Sequence, residues 1–290
     1  MIGGGVPAIA ASPTDAIVTT TAPTDGPNGD GAPNDSWLGR VRNTTGDEKF
    51  IKTFAICSTR GTYTRHVQSA SLPDNTQRSA QARCPGDSKV LSGGVELSSA
   101  AAGLSMKSSY PSGRGTKWTG VASNSGTGSS FSFDVYAICA ARGHYAYRSA
   151  SSSGAFGSGV SCPIGSQLVG GGIQTFGSSL TRAIYESRPG DGTDSDTAED
   201  DAWFDGVDRL GAFKVLAVCK TWLGSATAKP RSAPPGAIPP GRKVEMAAPS
   251  ASSCRCASTP CWPSASRQIA RSRRSRCASE RHRSSIVERR

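Results

Sequence analysis

Closing cysteines at Cys57, Cys139 and Cys219, spaced 82 and 80 positions apart, divide the first 220 residues into three copies of one pattern. The second copy runs Cys84-Pro85, VLSGGV (Val90–Val95), Ser109-Tyr110-Pro111, Lys117-Trp118 and VYAIC (Val135–Cys139). The third runs Cys162-Pro163, LVGGGI (Leu168–Ile173), Ser187-Arg188-Pro189, Ala202-Trp203 and VLAVC (Val215–Cys219). The first runs MIGGGV (Met1–Val6), Thr21-Ala22-Pro23, Ser36-Trp37 and FAIC (Phe54–Cys57). In both complete copies the second glycine of the triplet lies nine residues after the opening cysteine. A fixed period of this kind is the mark of a repeat architecture. The first copy begins six residues too late to include an opening cysteine. The expectation is therefore an amino-terminal truncation, with that cysteine and a secretory signal upstream of Met1. Ile2–Ala11 lacks the basic flank and apolar length of a signal peptide itself.

Each copy reads as short β-strands. Lys89–Leu97 and Gln167–Thr175 are strand-like and interrupted by glycines, which in strands mark bulges or a close backbone approach. Leu104–Tyr110 alternates apolar and polar residues, with Pro111 expected to end it. Trp37–Arg42 and Trp118–Ser123 are further strand candidates. Phe131–Cys139 and Phe213–Cys219 alternate and then turn apolar on both faces, the pattern of a strand whose end is buried on both sides. No helical period occurs over 1–220. The expected fold is all-β: three tandem repeats of about 80 residues, forming either a β-prism-like or barrel-like assembly or three strung β-sandwich modules. Expected boundaries are 1–80, 81–155, 156–222 and a tail of 223–290. No stretch has the roughly 20 apolar residues of a membrane-spanning helix.

The net charge of +11 would suggest a nucleic-acid partner if it were spread over the fold. It is not: residues 221–290 hold 14 of the 33 basic residues and 3 of the 22 acidic ones, so the repeats are neutral overall. The tail is rich in Pro, Ala, Ser and Arg, carries Cys254, Cys256, Cys261 and Cys277, and is expected to be disordered. Its end, Arg267–Arg290, could meet polyanions through salt-sensitive phosphate contacts, or be unselected sequence. It is the one segment through which nucleic acid would be bound.

Five of the nine cysteines sit in the repeats. Two per copy, far apart, argue for disulfides and an oxidising compartment. Cys84–Cys139 with Cys162–Cys219 is the favoured pairing, and Cys57–Cys84 with Cys139–Cys162 the rival. No Cys-x-x-Cys or histidine at ligand spacing accompanies them, which argues against zinc.

The combination Cys-Pro-x-Gly, glycine triplet, Ser-x-Pro, Trp and Tyr-Ala-Ile-Cys resembles a repeat of secreted proteins from actinobacteria and other soil bacteria. Those proteins look like extracellular modules, alone or appended to other domains, with no agreed activity. Cys162-Pro163-x-Gly165 fits the pattern, whereas Cys84-Pro85-Gly86 is one residue off it. A fainter similarity to the vitelline membrane outer-layer β-prism is one of fold alone. The resemblance implies an extracellular location and carries no catalytic residues.

Candidate chemistry is sparse. The glycine triplets lack the Gly-Lys-Ser/Thr and following helix of a phosphate loop, so they read as packing or a bulge. Trp37, Trp118 and Trp203 recur once per copy; an exposed indole stacks on sugar rings, while a buried one is a core aromatic. Asp191, Asp194, Asp196, Asp200 and Asp201 crowd the third Pro-to-Trp loop and could ligate calcium, without EF-hand spacing. The three histidines, His66, His144 and His282, do not share repeat positions, and no Gly-x-Ser-x-Gly elbow has partners. The reading is a secreted, non-enzymatic module for a glycan or cell-wall surface, with no cofactor beyond possible calcium. The alternatives are polyanion binding through the tail and a hydrolase with an unrecognised site.

Overall fold

A computed structural model describes residues 1–9, 13–24, 36–45, 50–58, 61–141, 143–154, 156–191 and 201–221. The chain divides into units Met1–Pro260 and Cys261–Arg290, and all described residues belong to the first. The tail readings, including Arg267–Arg290 and the four tail cysteines, fall outside the described residues. Every regular element described is a β-strand.

Equivalent parts of the copies form equivalent strands. The glycine triplets lie in β1 (Gly3–Ile9), β8 (Lys89–Leu97) and β14 (Ser166–Thr175). The Ser/Thr-x-Pro motifs lie in β2 (Ala16–Thr24), β9 (Leu104–Ser112) and β15 (Ile184–Gly190). The tryptophans lie in β3 (Ser36–Asn43), β10 (Lys117–Asn124) and β16 (Ala202–Val207). The closing segments are the short β4 (Phe50–Ile51) and β5 (Phe54–Ile56), then β11 (Phe131–Ala140) and β17 (Phe213–Thr221). Two trailing strands, β6 (Tyr63–Leu72) and β12 (His144–Ser152), and two leading strands, β7 (Thr76–Arg83) and β13 (Gly157–Ser161), complete the set.

These strands make three antiparallel sheets, and no sheet belongs to one copy. The orders are β3-β2-β8-β11-β6, then β7-β10-β9-β14-β17-β12, then β13-β16-β15-β1 continuing to β4 and β5. Each sheet joins the Trp and Pro strands of one copy to the Gly and closing strands of another. The third sheet closes the ring, because β15 of the last copy pairs with β1 of the first through Val6 opposite Ser187. The architecture is therefore prism-like rather than three strung modules. One apolar cluster with members from all three sheets fills the interior, including Val6, Leu97, Trp118, Phe133, Ile173 and Phe213.

The motifs explain this packing. A Cβ added to Gly4, Gly93 or Gly171 would come within 3.0 Å of the indole of Trp37, Trp118 or Trp203 respectively. A Cβ on Gly5, Gly94 or Gly172 would strike backbone at Ser187, Thr21 or Ser109 on the neighbouring strand. Glycine is present because nothing larger fits, which is the packing role expected of the triplets. The Ser/Thr two positions before each proline accepts a hydrogen bond from the indole: Trp37 Nε1 to Thr21 Oγ1 at 2.9 Å, Trp118 Nε1 to Ser109 Oγ at 2.9 Å, and Trp203 Nε1 to Ser187 Oγ at 3.3 Å. A buried indole N–H needs such a partner. Pro111 does not end its strand as expected; it pairs with Trp118 inside β9. The proline is tolerated because β14 meets β9 only at Ser109, so the missing N–H has no ladder to break.

At one end of the prism the Gly strands converge. The hydroxyl of Ser92 donates to the carbonyl of Ile2, while Gly3 and Gly170 lie against the carbonyls of Val169 and Leu91. Ile2, Leu91 and Val169, with Ala140 and Val218, form a second apolar cluster there. Disulfides Cys84–Cys139 and Cys162–Cys219, with Cα separations of 5.6 and 5.7 Å, tie each leading strand to a closing strand in a neighbouring sheet. Chains 55 and 57 positions long are closed by them, which stabilises by about 4 kcal/mol each on the chain-entropy model.

One departure from equivalence has an energetic consequence. The residue two after the tryptophan is Gly39 in the first copy, Gly120 in the second and Asp205 in the third. Asp205 is 1% exposed, and burial pushes its carboxyl well above the usual 3.8, only partly opposed by the polar groups of Ser187 and Trp203. The folded chain thus holds this proton to higher pH than the unfolded chain does. Its favourable contribution is complete below the unfolded value and is lost as pH rises through the folded one. Asp205→Asn is expected to raise the thermal midpoint at neutral pH, by about 2–4 °C for each kcal/mol gained, and to flatten its fall with pH. Thermal scans of both proteins across the acid-to-neutral range check this. A lower midpoint for the variant would contradict it.

Candidate ligand pocket at the open end of the prism

At the end opposite the Ile2 cluster, the starts of the Pro strands and the ends of the Trp strands meet around a pocket of about 310 Å³. All three copies line it. The first gives Thr14, Ile17, Arg42 and Thr44; the second gives Gly103, Ser105 and Ser125; the third gives Leu180, Thr181, Asp208 and Arg209. Its volume is at the lower end of the range for small-molecule sites, about 300–1,000 Å³.

The wall is pinned by hydrogen bonds within the copies and by a few between them. Arg42, at the end of β3, donates through Nη1 to the carbonyls of Ala101 and Leu104 at 2.6 and 2.8 Å. Thr44 Oγ1 donates to Thr14 O at 2.5 Å. The Ser105 and Ser123 hydroxyls lie 2.8 Å apart, and Ser123 donates to Leu180 O at 2.8 Å. Asp208 Oδ1 accepts from the Ala183 amide at 2.7 Å, and Asp208 Oδ2 lies 3.7 Å from Arg209 Nε. Arg182 props the third-copy loop by donating to the carbonyls of Phe176, Leu210 and Ala212. These bonds, three of them between copies, hold the wall of the pocket in shape.

Beside the pocket stands Lys107, the bulge residue of β9, where Ser108 and Met106 pair with successive residues of β10. It is 2% exposed and donates to the carbonyls of Ser179 and Arg182. Burial lowers its ammonium to about 7, opposed by Asp208 and reinforced by Arg182 and Arg209. Burial also raises the Asp208 carboxyl, against the pull of the Ala183 amide, Arg209, Lys107 and Arg182. Burial lowers the Arg42 guanidinium as well, with Asp208 opposing. Asp208 stands among the guanidinium groups of Arg42, Arg182 and Arg209, with Lys107 only partly charged at neutral pH, so the site is net positive.

The residues expected to act lie elsewhere. Trp37, Trp118 and Trp203 are 7%, 0% and 1% exposed, so no indole face is free to stack on a sugar, and they are core aromatics. Of the acidic loop, Asp191 is exposed and Asp201 is buried, while Asp194, Asp196 and Asp200 lie outside the described residues. Among the described residues no three metal-ligating side chains come together. Sequence reasoning passed over Arg42, Lys107 and Arg209, and met Asp208 only as a carboxylate following the acidic loop. The available signal was Lys107 itself, a charge at a repeat position held by Thr19 and Tyr185 in the other copies.

Comparison with known proteins finds no matching family model and no matching curated relative.

Proposed function

We propose that the chain is a non-catalytic binding module, acting outside the cell, whose pocket takes the carboxylate of an acidic sugar. The observation that carries this reading is the pocket itself: preformed, net positive, and lined by hydroxyls from all three copies. Arg42 and Arg209 present guanidinium groups, which pair with planar carboxylates through two donors. Asp208 and the hydroxyls of Thr44, Ser105, Ser125 and Thr181 supply partners for sugar hydroxyls. Two disulfides are compatible with an extracellular setting. No helix among the described residues is long and apolar enough to cross a membrane.

Calorimetric titration of the full chain with a uronic acid, its methyl ester and the neutral hexose tests the reading. The uronate is expected to bind about tenfold or more tightly than either uncharged sugar, since a charge-assisted pair is worth roughly 1.5–3 kcal/mol. Arg209→Ala, at a largely exposed side chain, should remove that preference without unfolding the protein. Lys107 loses its charge near 7, so uronate affinity should fall as pH rises from about 6 to about 9, with proton uptake on binding. Equal affinity for acid and ester, or no binding by any of the three, would overturn the reading.

A second reading is supported by the charge concentrated in residues 221–290. It is polyanion binding through that segment. Deleting 223–290 should then abolish DNA binding, and binding by the full chain should weaken steeply with salt.

A further inference from the structure

Two loops of the third copy, 176–183 and 208–212, supply Leu180, Thr181, Asp208 and Arg209 to the pocket wall. The same two loops hold large apolar side chains out in water: Phe176 is 43% exposed and Leu210 56%. The corresponding loops of the second copy, 98–103 and 125–130, carry nothing larger than threonine. Single exposed apolar residues are ordinary on a protein surface. A pair on the two loops that build a polar, net positive pocket is a different matter.

The pair is also braced. Arg182 donates through Nη1 to the carbonyls of Phe176 and Ala212 at 2.9 and 3.2 Å, and through Nη2 to that of Leu210 at 3.1 Å. The Phe176 amide donates to the Ala212 carbonyl at 3.2 Å, extending the pairing of β14 with β17 by one step. Gly211 leaves room for the guanidinium, since a Cβ there would come within 1.6 Å of Nη2. One buried cation thus fixes both loops through their backbones. The side chains of Phe176 and Leu210 take no part in that brace and are left to face outward.

Pocket size says what could cover them. At about 310 Å³ it lies at the lower end of the range for small-molecule sites, so a second ring joined to a bound sugar has to lie outside it, on the rim. A pyranose offers a face of C–H groups that packs on an apolar side chain, an aromatic one above all, while its hydroxyls stay in water. Arg209 links the two places: its guanidinium lines the pocket, and Leu210 is the next residue.

We propose that Phe176 and Leu210 form a second subsite, which takes the sugar joined to the uronate. The ligand is then an acidic oligosaccharide held by its uronate end, rather than a free uronic acid. This rests on the reading of the pocket given above. The C–H face of the second ring lies on Phe176, with Leu210 flanking it. Because Arg182 already holds both loops, little ordering is left for the ligand to impose, and the covered apolar area appears as affinity.

Calorimetric titration of the full chain tests this by comparing a free uronic acid with the disaccharide in which that uronate is glycosidically joined to a neutral hexose. The disaccharide is expected to bind about tenfold more tightly, through the apolar area it covers. Phe176→Ala should bring it down to the level of the free uronate, whose own affinity should stay within about twofold. Phe176→Trp should keep the gain, and Leu210→Ala should lose part of it. The hydrogen bonds at both positions are made by backbone, so alanine leaves the brace in place. Ile164→Ala removes an equally apolar side chain, 98% exposed, ahead of β14 at the Ile2 end, and should change neither affinity. A disaccharide no tighter than a free uronate that itself binds would overturn the subsite and leave the pocket reading standing; no binding by either would overturn both. A gain that survives Phe176→Ala and Leu210→Ala together would also overturn it. So would a dimer in sedimentation velocity that the same double variant turns into monomer, since the apolar pair would then be covered by a second copy.

Discussion

Trp118→Ala is expected to cost about 3–5 kcal/mol, the range for deleting a large buried aromatic. The indole is fully buried, spans from β10 to Gly93 of β8, and donates to Ser109. Nothing nearby can collapse into its place, because Gly93 offers no side chain. Trp118→Phe keeps most of the area and loses the hydrogen bond, leaving the Ser109 hydroxyl without that donor; about 1–3 kcal/mol is expected. Trp37→Ala should cost less than Trp118→Ala, because β3 is an edge and Trp37 retains some exposure. Urea unfolding of the three variants gives the order directly. If the indoles acted as ligand platforms instead, each alanine variant would stay within about 0.5 kcal/mol of the parent, as surface changes do.

Gly172→Ala and Gly94→Ala are the second pair of large effects. The new methyl would meet the Ser109 carbonyl in one case and the Thr21 carbonyl in the other. Those obstacles are backbone within a sheet, so no side chain can swing aside. Overpacking of this kind costs about 1–3 kcal/mol and more where backbone must shift, so a loss of about 3 kcal/mol or failure to fold is expected. Gly86→Ala makes the contrast. Its Cβ would meet nothing within 4 Å, although its φ of +51° favours glycine, so only a modest strain cost is expected. Thermal midpoints of the three variants check the ranking. Equal small losses would mean that the triplets are not packed as described.

Much of this architecture was legible in the residues. The period located the Gly, Pro, Trp and closing strands, because those strands carry their buried residues at fixed offsets from the cysteines. The same spacing favoured the disulfide pairing that is found but left Cys57–Cys84 with Cys139–Cys162 open as a rival. Four strands were harder to read: β6, β7, β12 and β13 lie at sheet edges, and the first of them alternates only weakly because most of its residues face solvent. A strand buried on neither face has no apolar period to betray it. The exchange of strands between copies was also hidden. The glycines announce that a backbone comes close, but their spacing does not say whose.

The pocket was less legible still, and for a related reason. It is built where the copies stop resembling one another. Arg42, Ser125 and Arg209 sit just inside or past the Trp strands, in positions that no pattern constrains. The informative residues were those that break an equivalence: Lys107 in place of Thr19 and Tyr185, and Asp205 in place of Gly39 and Gly120. The tryptophans, being the most regular feature, belong to the core.

Ring closure between the first and last copies carries the whole account, and cross-strand NOEs in the NMR spectrum of the isotope-labelled protein test it most directly. Contacts between Val6 and Ser187 and between Pro7 and Glu186 are predicted, joining β1 to β15 across some 180 residues. Cross-strand contacts confined within each copy, with none between β1 and β15, would contradict it.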